Sequence, residues 1–383
     1  MNFPDDLKRT ITPTLSAKAT SLGFPEPVET SGLRSVAHLF GAGKPRCGIY
    51  FLALPDSRSY IGQAVDVVRR FSQHVRAHGV IEAFSFLHVA RGRLDVVERE
   101  FIYKAETAGL ILVNVDHVAD VVGESDLNDL LTDEQLQSWS ASPYEENLND
   151  LESKPIKLSS SQHSRYERNV KQFCRHPLAK VAALELFLYL DSCIPYPRLT
   201  EYTFWSVSCM PSTNKTTWPR LLCVSAGVME LFCIGTHKDP SFSFATWGFI
   251  NVASDVLLGA YGTKEKFLDA YPQVELRAAS YRDAGQQASS LFAQSQLDML
   301  AMLEDPAVTR AAAVLAMRIM RKRSTIYFKF HCPQLVDLAL QHRDGSEEDL
   351  DSAIDSELNA FCDAVKERFP EALEQVRRSD SET

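Results

Sequence analysis

The apolar positions between residues 47 and 114 alternate between short runs that favour strands and longer runs with a helical period. GIYFLAL and SYIGQAV flank the turn-forming stretch PDSRS, so we expect a β-hairpin. Asp66 suits the N-cap of a helix over residues 67–77. AFSFLHVAR predicts a third strand, and Asp95 a second helix that Gly109 ends. With the short apolar run ILVNV, these patterns predict a compact α/β unit.

The pattern changes character from about Arg165 onward. KVAALELFLYLDSC has a helical period, whereas TFWSVSCM, RLLCVSAGVMELFCIG and FSFATWGFINVA are typical of strands. Asn214 and residues 238–240 mark turns between them. Residues 286–323 are predicted to be helical, and STIYFKFH is predicted to form one more strand. This half of the chain therefore also mixes helices and strands.

At 383 residues the chain exceeds the usual size of one hydrophobic core, so we expect an α+β protein of several domains. The expected division is an N-terminal extension (1–45), a small α/β domain (46–118), an acidic helix and linker (119–163), a larger mixed domain (164–343) and an acidic tail (344–383). The sequence has neither an apolar run of about 18 residues nor an apolar signal core. We therefore expect a cytoplasmic protein without a membrane partner.

The net charge of −10 is concentrated in one segment. The tail from Asp344 carries −9 of it, which leaves the rest of the chain close to neutral, so the total does not exclude a nucleic-acid partner. The tail is either a solubilising segment or a DNA mimic that covers a basic groove. The eight cysteines are scattered without a C-x-x-C pair, which argues against a zinc site and fits buried thiols in a reducing compartment.

An ordered set of polar and glycine residues runs through the first unit. The triplets GIY (48–50) and YIG (60–62) are followed by Arg70 and His74, by the run ERE (98–100) and by Asn114. Each has an ordinary structural explanation when taken singly: strand tyrosines, solvated helix residues, an exposed charge run. Together and in this order, over about residues 46–115, they resemble the GIY-YIG nuclease superfamily. The nine residues that separate the two tyrosines are slightly fewer than the family usually has, which a tighter hairpin accommodates.

The resemblance implies hydrolysis of phosphodiester bonds with one divalent metal held by one glutamate. Matched by motif, that metal ligand is Glu100, the second acid of the run, whose hard carboxylate suits Mg²⁺ or Mn²⁺. Tyr50 resembles the tyrosine that takes a proton from the attacking water. A tyrosine is a poor base at its ordinary pKa near 10, so the metal and nearby cations would have to lower that pKa. Tyr60 is expected to orient the water or the phosphate.

Four further roles follow from the same resemblance. Arg70 is expected to clamp the scissile phosphate, since its planar fork matches two phosphoryl oxygens. His74, four residues later on the same helix face, transfers protons or binds phosphate. Asn114 holds the network of the site together. Gly62 leaves room for the backbone of the substrate.

A second candidate for nucleic-acid binding is the stretch RIMRKRSTIYFKFH, in a region where no family resemblance is evident. Its cations lie beside three aromatic residues, a combination that suits phosphate contacts and base stacking. The alternative is a helix whose C-terminal end favours cations, followed by a core strand. The cations are Arg318, Arg321, Lys322, Arg323 and Lys329.

The sequence thus favours a metal-dependent endonuclease that cuts DNA, with RNA as the other substrate, in defence against foreign DNA or in a mobile element. The C-terminal region would supply targeting or assembly, through a partner protein or a second copy of the chain. Two alternatives stay open. One is a module that binds nucleic acid or protein on a nuclease fold without cutting, and the other is a toxin that cuts RNA.

Overall fold

The computed structural model describes residues 15–119, 121, 125–143, 147, 159–213, 218–237, 246–279, 281–285 and 287–344. The chain divides into two compact units, one of residues up to 124 with segment 282–286, the other of residues 125–281 and from 287 onward. Both combine helices with a sheet, which confirms the α+β class. The turns expected at Asn214 and 238–240, much of the expected linker and the acidic tail lie outside the described residues.

The first unit is built on a five-stranded sheet with the strand order β1-β4-β2-β3-β5. The pairs β2–β3, β2–β4 and β1–β4 are antiparallel, and β3–β5 is parallel. The predicted hairpin is therefore present, and its first strand lies at the centre of the sheet. The strands are β1 (Val28–Glu29), β2 (Gly48–Ala53), β3 (Arg58–Ala64), β4 (Ala83–His88) and β5 (Ile111–Leu112).

Alternation along β2 separates the two cores of this unit, because successive strand residues point to opposite faces. Ile49 and Phe51 pack with α1 (residues 15–22) and α3 (Leu94–Thr107) on one face. Tyr50 and Leu52 pack on the other face with α2 (Val67–His78). All six residues of β2 are buried. The first tyrosine therefore lies on a central strand that is buried on both faces.

The N-cap residue predicted from the sequence is correct for α2 and wrong for α3, whereas the glycine predicted to end α3 is correct. Asp66 caps α2 by accepting hydrogen bonds from the amides of residues 68 and 69. Helix α3 begins at Leu94 without a side-chain cap, so Asp95 lies in its first turn, where a carboxylate still favours the helix dipole. Gly109 follows α3 with a φ of 71°, which glycine adopts without strain.

The segment expected to be an N-terminal extension contributes to the core of the first unit. Leu15, Leu22 and Phe24 are buried, and the Phe24 ring lies 4.5 Å from that of Phe101. Strand β1 pairs with β4. Residues 15–45 therefore belong to the same folded unit as the motif residues.

The second unit is built on a six-stranded antiparallel sheet with the order β10-β11-β9-β8-β7-β6. Its strands follow one another along the sheet except for β10, which a crossover through two helices brings to the edge beside β11. They are β6 (Trp205–Cys209), β7 (Arg220–Ala226), β8 (Met229–Thr236), β9 (Thr246–Ala253), β10 (Glu275–Ala278) and β11 (Ala288–Ala293).

Helices cover one face of this sheet, and the helix Ala179–Cys193 is buried over nearly its whole length. In the described part of the chain, no helix is both long and apolar enough to cross a membrane. In chain order the helices are α4 (Asp133–Ala141), α5 (Ser160–Phe173), α6 (Ala179–Cys193), α7 (Pro197–Thr200), α8 (Ser254–Tyr261), α9 (Lys264–Ala270), α10 (Gln296–Glu304), α11 (Pro306–Lys322) and α12 (Pro333–Leu340).

Two predictions for this region were wrong. Residues 288–293 form β11, inside the stretch predicted to be helical. STIYFKFH is not a strand but a turn with a short 3-10 helix, Phe328–Phe330. The reason lies at the sheet edge, where Val207 of β6 donates its amide to His331 Nδ1 and accepts from the Cys332 amide. The chain therefore crosses the edge of β6 at one point instead of running along it.

Candidate active site

The hairpin brings the two motif tyrosines into one stack. Tyr50 on β2 lies directly opposite Gly62 on β3, and its ring is 6.0 Å from that of Tyr60, with 23° between the ring planes. A Cβ atom on Gly62 would lie 2.5 Å from Tyr50 Oη and 2.6 Å from the Tyr60 ring. Gly62 therefore makes room for the tyrosine pair, and not for the substrate backbone as expected.

Helix α2 places Arg70 and His74 one turn apart against this pair. Tyr50 Oη lies 2.7 Å from His74 Nε2, and Arg70 Nε donates to the same oxygen at 3.3 Å. Arg70 also donates to Gln73 at 3.1 Å. One phenolic oxygen thus ties the arginine and the histidine together, as residues four apart on a helix allow.

The pKa values of these side chains determine which of them donates each hydrogen bond. Burial, helped by the positive charges of Arg70 and His78, lowers the pKa of His74 to about 4, so the ring is neutral near pH 7. Burial raises the pKa of both Tyr50 and Tyr60, against the opposing effect of Arg70. Tyr50 is therefore a protonated phenol that donates to His74 Nε2 and accepts from Arg70.

Asn114 fixes the backbone between the second tyrosine and Gly62. Its Oδ1 accepts from the Ile61 amide at 3.1 Å, and its Nδ2 donates to the Ile61 carbonyl at 2.6 Å. The side chain is buried and continues the pairing of β3 beyond the two-residue strand β5. Asn114 therefore holds the backbone of β3 in place beside the cleft.

Helix α3 turns Glu98, and not Glu100, toward the site. Its buried positions recur at the helical period, and Glu98 is one of them, with its residue only 8% exposed. Glu98 Oε2 accepts from Gln63 Nε2 at 2.9 Å and lies 3.9 Å from His117 Nε2. Glu100 is exposed and does not line the site. Glu100, the expected metal ligand, therefore lies away from the cleft, and Glu98 is the acid of the run that lines it.

These residues surround one open cleft of ≈ 550 Å³. Tyr50 does not line it, because its ring is fully buried behind the residues that do. The rings of His74 and His78 stack at 5.5 Å on one side of the cleft. The polar groups that line the cleft are Tyr60, Gln63, Arg70, Gln73, His74, His78, Glu98, Asn114 and Asp116.

The carboxylates of the cleft suit a hard divalent cation that keeps most of its waters. Among the described residues there is no group of three or more histidine, cysteine, aspartate or glutamate side chains that could hold a metal. Mg²⁺ is commonly bound by one or two carboxylates together with water and substrate phosphates. Glu98 and Asp116 on the cleft wall therefore fit Mg²⁺ or Mn²⁺, whereas a closed protein cage is absent from the part of the chain described.

The cationic stretch in the second unit is dispersed. Arg318 donates to both carboxylate oxygens of Asp255, at 2.8 and 2.9 Å. Lys322 is buried, Arg321 and Arg323 are half-buried, and Lys329 Nζ lies 5.7 Å from the centroid of the Phe328 ring. The structure does not present these residues as one exposed basic surface.

A scan against protein-family models, a search of curated proteins and a search of solved structures each found no match for this chain. The site is therefore interpreted from its own geometry. Sequence reasoning missed Gln63, His78 and Asp116 and left Glu98 aside. For Glu98 a signal was present, since residues 94, 97, 98, 101, 102 and 105 follow the spacing of one helix face. His78 follows His74 at the same helical spacing.

Proposed function

We propose that this protein is a metal-dependent phosphodiesterase that cuts DNA through the cleft of its first unit. The observation that carries the proposal is the convergence of a guanidinium, a neutral imidazole, a tyrosine and a buried carboxylate on one open cleft. They come from three elements of the fold, β3, α2 and α3. Hydrolysis of a phosphodiester needs such groups for charge neutralisation, proton transfer and metal binding.

Arg70 is the group that binds the phosphate. Its guanidinium is held on one side by Tyr50 and Gln73, which fixes its orientation. A guanidinium has five N–H donors in a planar fork, so it can serve these partners and still face two phosphoryl oxygens. A preorganised cation of this kind stabilises the negative charge that increases in the transition state.

The hydrogen-bonded pair Tyr50–His74 positions two groups of the cleft. The Tyr50 ring is buried behind the cleft and does not reach a water bound in it. Its hydroxyl donates to His74 Nε2 at 2.7 Å and accepts from Arg70 Nε at 3.3 Å, so it fixes both side chains that line the cleft. A phosphate anion in the cleft raises the pKa of His74 by attraction, which favours proton uptake by this ring.

Glu98 is the carboxylate proposed to hold the divalent metal, with Asp116 close enough to line the same cleft. Gln63 orients the Glu98 carboxylate by donating to Oε2. When bound, Mg²⁺ or Mn²⁺ supplies a Lewis acid at the phosphoryl oxygen and lowers the pKa of a bound water. Tyr60 lines the cleft between Arg70 and Glu98 and is suited to orient the water.

The test is a cleavage assay with supercoiled plasmid, branched DNA and RNA side by side, in Mg²⁺, in Mn²⁺ and in excess EDTA. We expect cleavage of DNA that EDTA abolishes and added Mg²⁺ restores. Cleavage of RNA alone would move the proposal to an RNA-cutting toxin. Tight binding with no cleavage of any substrate would favour a module that binds without cutting. Cleavage unaffected by EDTA would contradict metal dependence.

The biological setting proposed for this activity is defence against foreign DNA or a mobile element. Such a nuclease should restrict incoming DNA when it is expressed in a cell. Phage infection and plasmid transformation should be less efficient with the active chain than with the Glu98→Gln chain at equal expression. Equal efficiencies would remove the defence role and leave the chemistry untouched.

A further inference from the structure

A second polar cavity, of ≈ 450 Å³, lies entirely within the second unit. We call it the serine pocket. Its floor is the β6–β8 end of the sheet, and its walls are helix α5 and the turn around Phe330. None of the residues in the first unit's cleft belongs to it.

The floor of the serine pocket is polar where a sheet face packed in a core would be apolar. Ser206 on β6 pairs with Ser225 on β7, and Ser208 with Cys223, so all four side chains share one face. Ser206 and Ser225 are 2% and 6% exposed. Their hydroxyl contacts are long, at 3.5 Å from Ser206 to Thr325 Oγ1 and 3.9 Å from Ser225 to Cys223 Sγ. Hydroxyls held so loosely can reorient toward a ligand.

An ion pair runs along the same floor. Arg220 donates through both Nη atoms to the Glu230 carboxylate, and Tyr281 donates to Glu230 Oε2 at 3.1 Å. The Arg220 side chain is only 10% exposed. A buried ion pair adds little to stability, because desolvation offsets most of the attraction. These mutual contacts hold the polar groups of the floor in fixed positions.

The wall supplies an exposed aromatic ring. Tyr166 is buried and donates to the Lys329 carbonyl at 2.6 Å, which holds the turn against helix α5. Phe330, next in the chain, is 56% exposed and lines the cavity. An exposed phenyl ring at the edge of a polar cavity is suited to stack on a flat heterocycle.

The charge of the lining is positive. Among the described residues that line the cavity, three are arginines, Arg165, Arg168 and Arg220, whereas Glu230 is the one carboxylate. Arg168 is exposed at the surface of α5, so it can contact a ligand that extends out of the cavity. An anion with a planar ring and hydrogen-bonding edges matches this combination of guanidinium, phenyl ring and hydroxyls.

We propose that the serine pocket binds one nucleotide, with the base stacked on Phe330, its polar edge on the serine hydroxyls and the phosphate at Arg168. A volume of ≈ 450 Å³ accommodates a ligand of this size. The nucleotide is either a free nucleoside phosphate or one unpaired unit of a nucleic-acid strand, since both offer the same chemistry. The site is separate from the cleft and does not depend on the proposed cleavage.

The experiment is calorimetric titration of the full chain in EDTA, which prevents metal-dependent cleavage. The probes are AMP, GMP, CMP and UMP, single strands of 12 nucleotides in DNA and RNA, adenosine, and inorganic phosphate. The variants are Phe330→Ala, whose ring is exposed, and Arg168→Ala. The matched control is Arg175→Ala, an exposed arginine just beyond α5 that does not line the pocket.

We expect at least one mononucleotide or single strand to bind more tightly than adenosine or phosphate. Phe330→Ala should weaken that binding about 5-fold to 100-fold, the loss that removal of one base–aromatic stack produces. Arg168→Ala should weaken it about 3-fold to 5-fold, as expected for an exposed ion pair, and Arg175→Ala should leave it unchanged. Binding of mononucleotides identifies a free nucleotide as the ligand, and binding of strands alone identifies a nucleic-acid unit. If no probe binds, or if Phe330→Ala changes no affinity, the proposal is overturned.

Discussion

The cleft of the first unit and the cationic end of helix α11 in the second unit were both predicted to contact nucleic acid, and only the cleft brings predicted residues together. Arg70 and His74 line the cleft and both contact the phenolic oxygen of Tyr50 behind it. At the end of α11, Arg318 is held by Asp255, and Lys322 is buried. The difference teaches that an ordered set of residue types across several elements predicts a site better than a local concentration of charge.

The physical reason is that a charged side chain takes the nearest partner that the fold offers. Arg318 and Lys322 lie four residues apart on α11, and yet each meets its own surroundings. Arg318 is held by a carboxylate on α8, whereas Arg321 and Arg323 are half-buried and Lys329 is exposed. The residues of the cleft are far apart in sequence, and β3, α2 and α3 hold them together.

The largest effect expected separates Glu98 from Glu100. Glu98→Gln should reduce cleavage by at least about 10³-fold, because it removes the carboxylate that faces the cleft. Glu100→Gln is the matched control on the same helix and should cut like the original chain, because its side chain is exposed. Initial rates of plasmid nicking in Mg²⁺ measure both. Loss of activity in Glu100→Gln alone would return the metal site to the position that the motif indicates.

The next effect tests the phenolic oxygen of Tyr50, which lies behind the cleft and contacts Arg70 and His74. Tyr50→Phe and Arg70→Ala should each lower the cleavage rate by about 10²–10³-fold, the usual cost of one preorganised contact in the transition state. Tyr60→Phe, measured beside them, shows which hydroxyl matters more. DNA binding by Tyr50→Phe should stay close to that of the original chain. If Tyr50→Phe and Arg70→Ala both cut within about twofold of the rate of the original chain, neither residue takes part in the cleavage reaction.

Gly62→Ala tests the room that the tyrosine pair needs. The added Cβ would lie 2.5 Å from Tyr50 Oη, so we expect the pair to shift, at a cost of about 1–3 kcal/mol in the free energy of unfolding. Cleavage should fall by at least about tenfold, because small displacements of catalytic groups are costly. Gly92→Ala is the control, since no atom lies within 4 Å of its added Cβ. Urea unfolding and the nicking assay measure the two effects, and equal behaviour of the two variants would contradict the packing argument.

The pH dependence of stability tests the buried imidazole. The folded pKa of His74 is about 4, below its ordinary value of 6.5, so the unfolded chain takes up a proton first as the pH falls. The stability associated with neutral His74 is therefore complete above about pH 6.5 and is lost between pH 6.5 and 4. Urea unfolding measures the free energy of unfolding at pH 7.5 and at pH 5. Between these two pH values, His74→Gln should lose less of this free energy than the original chain. His38 is an exposed histidine, so His38→Gln should lose as much free energy of unfolding as the original chain over the same pH range. Equal losses in all three would show that His74 is not the titrating group.

The smallest effect concerns the cationic end of α11. Arg318→Ala should lower the free energy of unfolding by about 1 kcal/mol, because it breaks a partly exposed bidentate ion pair with Asp255. It should leave the salt dependence of DNA binding unchanged. Urea unfolding measures the change in stability, and a salt titration of DNA binding measures the salt dependence. A salt slope reduced by about one unit would show that Arg318 contacts phosphate after all.

Local sequence signals determined much of the first unit. The hairpin follows from two runs of strand-forming residues around a turn, and Asp66 begins α2 because its carboxylate caps free amides. Tyr60, Arg70, His74 and Asn114 were identified by order alone, and the structure brings them to one cleft. These features rest on interactions between residues close in sequence, or on a motif whose elements have a set order.

Only the tertiary structure decided the remaining assignments. The choice of Glu98 over Glu100 depends on which face of α3 the sheet covers, and the strand at residues 288–293 exists because β9 offers it a pairing edge. The stretch STIYFKFH carries strand-forming residues, yet the edge of β6 is occupied by His331 and Cys332. The serine pocket joins residues from three parts of the chain. Such outcomes depend on partners distant in sequence, which composition and periodicity do not encode.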